Sequence, residues 1–184
     1  MSQEIRVDQT LAFPVERVFA GFRDRLPELA PLIPGIAQIT VVERKELGEG
    51  RIALLNKWTV SRDMPDLKIV GRFLPDGVLY WEDHALWDPG DHSCTWRFVL
   101  PFVKDAVEVS GKNYYRADGE GKTRLEVRGA LNLTLERVRG VPRLLARAVT
   151  PIIERKVLEK IEPSFVRTGV ALSTLLSRDG APKA

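Results

Sequence analysis

The strongest constraint on this chain's fold is the apolar repeat near its end, from about Pro142 to Arg178. Leu145, Val149, Ile153, Val157, Ile161 and Phe165 recur every four residues, and Ile152, Val166, Leu172, Leu175 and Leu176 widen the line into a stripe. Arg147, Glu154, Arg155, Lys156, Glu159, Lys160 and Arg167 fall largely on the other side, as in a helix with one buried face. At 1.5 Å per residue such a helix is about 55 Å long. Everything upstream reads as short strands, so the expected arrangement is a sheet curled around one long helix, with an apolar cavity between them. Pro151 and Pro163 each remove a donor and crowd the preceding turn. The helix is therefore expected in linked pieces, with Pro151 opening the main one.

Glu4 to Leu11 alternates, with Ile5, Val7 and Leu11 on the apolar side. Phe13-Pro14 opens a helix whose apolar face is Val15, Val18, Phe19 and Phe22. Pro27, Pro31, Pro34 and Gly35 limit the next segment to short helical turns. Ile36 to Leu47 and Arg51 to Ser61 read as a hairpin around Gly48-Glu-Gly50, with Ile52, Leu54, Asn56, Trp58 and Val60 on one face. Val78 to Trp87, His92 to Leu100, Ala106 to Arg116 and Lys122 to Leu135 continue as strands joined by short turns. The fold class is thus α+β, an antiparallel meander of about seven strands followed by the long helix. The organisation expected is one domain over residues 1–178 and a disordered tail over 179–184.

Arg62 to Gly77 breaks the strand pattern. Asp66 is a plausible cap for a short amphipathic helix, and Met64, Leu67, Val70 and Phe73 supply apolar side chains. The segment reads either as a lid beside the cavity or as a buried connector.

Charge excludes more than it assigns. The net charge is +3, and basic residues are dispersed among acids, which argues against a nucleic-acid groove. Arg137, Arg139, Arg143, Arg147 and Arg155-Lys156 make the approach to the final helix basic, either a solvated face or a transient contact with anionic membrane. The N-terminus carries no apolar signal core and no run is long enough to span a bilayer, so the expectation is a cytoplasmic protein, peripheral to membranes at most. The single cysteine, Cys94, excludes an intrachain disulfide and a multi-cysteine zinc site, and its strand pattern reads as buried filler.

Strand, helix, six strands and long helix is the element order of the helix-grip fold of START/SRPBCC proteins, and the local sequence resembles one branch in particular. Val78-Leu-Tyr-Trp-Glu-Asp-His-Ala-Leu-Trp-Asp-Pro89 is similar to the strand of PRELI/MSF1-type lipid-transfer proteins that reads Tyr, two residues, Glu-Asp-Ser, and ends in Asp-Pro. Cys94-Thr-Trp-Arg follows where that family places a Thr-Trp pair, and Arg62-Asp-Met-Pro65 through Phe73-Leu-Pro75 resembles its segment after the third strand. His84 stands where that family has a small hydroxyl residue. The resemblance implies a phospholipid ligand, phosphatidic acid or phosphatidylserine.

The residues themselves point to binding more than to catalysis. Trp58, Trp81, Trp87 and Trp96 all fall in strands, where large rings either line an apolar pocket or pack the core. Trp81, Asp83, Ala85 and Trp87 share one strand face; Tyr80, Glu82, His84 and Leu86 share the other. An inward Asp83 must be paired or protonated, with Arg97 or Arg128 as the expected partner; an inward Arg would also receive a phosphate or carboxylate head group. The candidate ligand-binding set is Trp58, Trp81, Asp83, Trp96, Phe98, Arg128, Ile153, Val157, Ile161 and Phe165, with Met64, Leu67, Val70 and Phe73 as the lid.

No catalytic residue is assigned. There is no glycine-flanked nucleophile serine, no metal-ligand cluster and no cofactor motif, and Gly111, Gly119, Gly121 and Gly129 lack the strand–loop–helix setting of a phosphate loop. His92, in a turn, is expected in solvent. The leading reading is a non-enzymatic carrier of a hydrophobic small molecule or phospholipid. Two alternatives stay open. One is a polyketide cyclase/dehydratase-like enzyme with His84 or Asp83 inward near Tyr114 or Tyr115. The other is an interaction module without a cavity.

Overall fold

The computed structural model describes residues 3–61, 79–101, 104–134, 136 and 143–179, without the side chains of 143, 145–149, 152, 153 and 156. Seven strands follow in order: β1 (Gln3–Leu11), β2 (Ile36–Gly48), β3 (Arg51–Val60), β4 (Tyr80–Asp88), β5 (Ser93–Val99), β6 (Val107–Ala117) and β7 (Thr123–Leu133). Two helices, α1 (Val15–Asp24) and α2 (Leu26–Leu29), and a 3-10 turn (Ala30–Leu32) separate β1 from β2; α3 (Arg143–Asp179) closes the chain. All strands pair antiparallel in the order β1-β7-β6-β5-β4-β3-β2. Only β1 leaves chain order, crossing to pair with β7 in continuous register from Gln3↔Leu131 to Leu11↔Thr123.

Alternation sets which side chains turn inward. Ile5, Val7 and Leu11 of β1 and Leu125, Val127 and Leu131 of β7 are buried, whereas Arg6, Asp8 and Arg124 between them are exposed. At the β2–β3 turn, Gly48, Glu49 and Gly50 all have positive φ, a conformation that glycine adopts without steric cost.

One end of the curved sheet is stoppered by α1, α2 and the last turns of α3. Pro14 sits at the start of α1, and Val15, Val18, Phe19 and Phe22 are buried. Phe19 packs edge-on against Trp87 at 5.2 Å, His92 at 5.3 Å and Tyr115 at 5.6 Å between ring centroids. His92 is therefore half-buried against a ring, not in solvent. Gly21 faces Leu172 so closely that a Cβ there would lie 2.7 Å from its Cδ1. Arg17 reaches the Leu176 carbonyl at 3.3 Å, and Arg25 pairs with Asp179 at the helix end.

α3 runs unbroken for 37 residues through both internal prolines, which corrects the expectation of linked pieces. Pro151 and Pro163 are both exposed. The helix lies along β1: Glu162 accepts from the Arg6 backbone N–H at 3.0 Å, and Gln9 donates to the Val166 carbonyl at 3.3 Å. Leu172, Leu175 and Leu176 are buried near its end, and Val157, Ile161 and Phe165 are half-buried further back. No described helix is long and apolar enough to cross a membrane.

Candidate functional site on the inner sheet face

The polar centre of the inner face comes from the β3–β4 ladder. Ile52, Leu54, Asn56 and Trp58 are buried on β3, and the register sets Asn56 opposite Asp83 and Trp58 opposite Trp81. Asn56 donates its amide to Asp83 Oδ2 at 3.2 Å, and the Trp58 and Trp81 rings stack at 5.4 Å with planes 15° apart. The Asn56 Oδ1 atom and the indole N–H groups of Trp58, Trp81 and Trp87 are buried with no hydrogen-bond partner among the described residues. An apolar wall thus carries several polar atoms without a partner among the described side chains, a costly arrangement for a filled core.

Burial pushes the Asp83 carboxyl up to about 6, against the opposing pull of the Asn56 amide, the Trp58 indole and the nearby His84. The Trp58 N–H is close enough to favour the carboxylate without reaching hydrogen-bond geometry. Arg97 and Arg128 were the expected partners, and neither fills that role. Arg97 is exposed on β5, and Arg128 turns outward to bond both oxygens of Asp8 at 2.8 and 3.1 Å. The reason is parity: Val127 is fully buried, so its neighbour Arg128 must leave by the opposite face. Arg128 bonding in turn holds the Asp8 carboxyl below its usual range.

Trp96 forms the floor of the middle of the sheet. A Cβ on Gly111 would meet its Cζ2 at 2.6 Å, and one on Gly129 its Cη2 at 3.0 Å, so the indole lies flat across two strands that carry no side chain there. Its N–H donates to Asn113 Oδ1 at 2.8 Å. Phe98 stacks on Trp96 at 4.7 Å, Trp81 approaches Phe98 at 6.4 Å, and Phe165 of α3 meets Trp96 at 5.2 Å and Phe98 at 6.1 Å. The result is one aromatic surface from β3 to the helix.

Among the sequence-derived candidates, Trp58, Trp81, Asp83, Trp96 and Phe98 converge on this inner face, with Phe165 against them and Val157 and Ile161 packed beside the core. The Ile153 side chain lies outside the described residues, as do the lid residues Met64, Leu67, Val70 and Phe73. His84 points outward beside Glu82 at 3.4 Å, and Tyr114 sits outside between Lys112 and Arg116, whereas Tyr115 is buried. Burial raises the Tyr115 phenol and the Cys94 thiol well above their usual values, so both stay protonated at neutral pH.

Glu154 was missed. The sequence reading put it on the polar side of α3, yet it is 2% exposed. Its Oε2 accepts from Gln3 at 3.4 Å and its Oε1 has no partner. A strict spacing of four advances about 40° per step beyond a full 3.6-residue turn, so the line from Leu145 to Phe165 walks around the helix. The spacing Glu154, Val157, Ile161, Phe165 stays closer to one face and was legible. Asn56 was readable too, as the polar member of an apolar alternation.

Two grooves border this region, the smaller one also lined by Phe98 and the larger by Leu54 and Ala85. One of about 250 Å³ is bordered by Arg97, Val99, Lys104 and Glu108, and one of about 400 Å³ on the outer face by Lys45, Leu47, Leu55, His84 and Leu86. Neither is lined by Asn56 or Asp83. Among the described residues no group of three His, Cys, Asp or Glu side chains is placed to hold a metal.

The architecture is the helix-grip fold: a curved seven-stranded antiparallel sheet gripping a long C-terminal helix. The chain is similar in structure to the Zhui aromatase/cyclase from Streptomyces sp. R1128, with a TM-score of 0.66 and 17% identity over 97% of this chain and 95% of that one. It is similar to truncated norcoclaurine synthase from Thalictrum flavum, with a TM-score of 0.55 and 12% identity over 96% and 94%. It also resembles a START superfamily protein from Mycobacterium smegmatis, with a TM-score of 0.56 and 13% identity over 95% and 97%. These likenesses support a START/SRPBCC-type fold and do not single out the PRELI/MSF1 branch. No family model matches the chain, and no curated protein matches it in sequence.

Proposed function

We propose that the inner face binds an amphipathic, largely apolar small molecule without transforming it. The observation that carries this reading is the set of buried, unpartnered polar atoms of Asn56, Trp58, Trp81 and Trp87 within an aromatic wall. Each unsatisfied buried group costs about 1–3 kcal/mol, and a ligand offering complementary groups removes that penalty while covering the rings. Native mass spectrometry of gently purified protein is the test. A co-purifying mass of a few hundred daltons, released on denaturation, is the expected result; repeated absence of any bound species, with no uptake from liposomes, would sink the reading. Liposome uptake also tests lipid transfer, including the phospholipid that the PRELI/MSF1 resemblance implies.

A second reading rests on Asp83. A buried carboxyl raised to about 6 sits close to neutral pH, where general acid–base catalysis is most effective. Turnover of a polyketide-like substrate that Asp83→Asn abolishes, with substrate binding retained, would replace the carrier by an enzyme of cyclase type. Turnover unaffected by that substitution would remove Asp83 as its acid or base.

A further inference from the structure

The charged side chains buried in the described structure are both acidic. Asp83 is 8% exposed on β4 and Glu154 is 2% exposed on α3. The ladders connect their two walls in four strand spacings: Asp83 pairs with Phe98, Phe98 with Val109, Val109 with Leu131, and Leu131 with Gln3, the residue that reaches Glu154. Gln3 shares the inward parity of Ile5 and Val7, so Glu154 is turned toward the same inner face from the opposite wall. Its Oε1 is buried and bonded to nothing, and Glu154 makes no ion pair among the described residues.

A buried carboxylate without a cation is expensive, and its natural complement is a positive charge with hydrogens to donate. The surrounding rings leave that charge uncompensated. Trp58, Trp81, Trp96, Phe98 and Phe165 stack on one another in the same interior and add no positive charge of their own.

We propose that Glu154 is the charge-recognition residue of the interior and that the molecule taken up is an amphipathic amine, a protonated nitrogen on an apolar or aromatic frame. This rests on the ligand-binding reading above and names its chemical class. It also runs against the anionic phospholipid that the sequence resemblance implies. Like charges brought together in a desolvated site repel strongly, so an anionic head is the worst match for this interior.

The test uses three probes with one frame: 2-naphthylethylamine, 2-naphthylethanol and 2-naphthylacetate, titrated calorimetrically into the full chain at pH 7.5. The amine is expected to bind at least about tenfold tighter than the alcohol, and the acetate weakest, a tenfold step being 1.4 kcal/mol. Glu154→Gln is expected to erase the advantage of the amine over the alcohol; Glu159→Gln, at an exposed position on the same helix, should preserve it. Acetate binding as tightly as amine, or an amine preference that survives Glu154→Gln, overturns the proposal and leaves ligand binding itself standing. If all three probes fail to bind, both readings fall. Should Glu154→Gln not fold, the amine-to-acetate ratio of the unmodified protein still decides.

Discussion

Asn56 donates its side-chain amide to the Asp83 carboxyl at 3.2 Å across the β3–β4 ladder, and both groups are buried. A neutral donor offsets only part of the cost of desolvating a carboxylate, which is why Asp83 titrates near 6 and not near 3.8.

The first prediction follows from that shift. Because the folded-state value is raised, the folded protein holds a proton between about pH 4 and 6 that the unfolded chain has released. The Asp83 contribution to stability is therefore most favourable at low pH and declines as pH rises through this window, by on the order of 3 kcal/mol in total. Asp83→Asn keeps an oxygen to accept from Asn56 and carries no charge. Its melting temperature should exceed that of the unmodified protein by several degrees at pH 8 and match it near pH 4. Equal melting temperatures at pH 8 would show that Asp83 is not desolvated as described.

Trp96 depends on the bare backbone beneath it. At Gly111 an added Cβ would meet the Arg128 carbonyl at 2.5 Å and the Gly129 Cα at 2.7 Å, contacts that only backbone movement can relieve. Gly111→Ala should cost about 3 kcal/mol or more by denaturant unfolding and alter the near-UV tryptophan signal. Gly119→Ala, at φ +78 with nothing within 4 Å, should cost only about 1–2 kcal/mol for the left-handed conformation and leave that signal intact.

Gly21 and Leu172 fit against each other as a pair. Leu172→Ala removes a fully buried side chain and should cost about 2–5 kcal/mol. Gly21→Ala alone crowds Leu172, but in the Leu172→Ala background the new methyl occupies vacated space. Chemical unfolding of the four species should give a double variant more stable than the sum of the single losses predicts, by about 1 kcal/mol or more. Simple additivity would contradict the close approach.

Arg128 separates the sequence reading from the structure. Its outward ion pair with Asp8 is partly exposed, and such pairs contribute about 0–1 kcal/mol. Arg128→Ala should leave ligand uptake, measured by native mass spectrometry, unchanged and lower stability only slightly. Loss of bound ligand would mean that the head group sits on the outer face after all.

The element order along the chain, the proline-opened first helix and the presence of the terminal helix were readable because each rests on local periodicity. Parity also grouped Trp81 with Asp83, and Trp58 with Asn56, on shared strand faces once a strand was granted, and left open which face turns inward. What failed was orientation where two faces compete. Arg128 was drawn inward as a partner for Asp83, although its own strand turns it out. Glu154 belongs on the outer side only along a straight line of spacing four, and at 3.6 residues per turn that line walks around the helix.

The sequence by itself determined the element order and the alternation, since these depend on neighbours a few residues apart. Only the tertiary structure decided the register that brings Asn56 to Asp83, the bare glycine pair under Trp96, and the rotation of α3 that buries Glu154. Those features join residues up to 151 positions apart, as Gln3 and Glu154 are, and no local pattern encodes how a sheet curves around the helix that fills it.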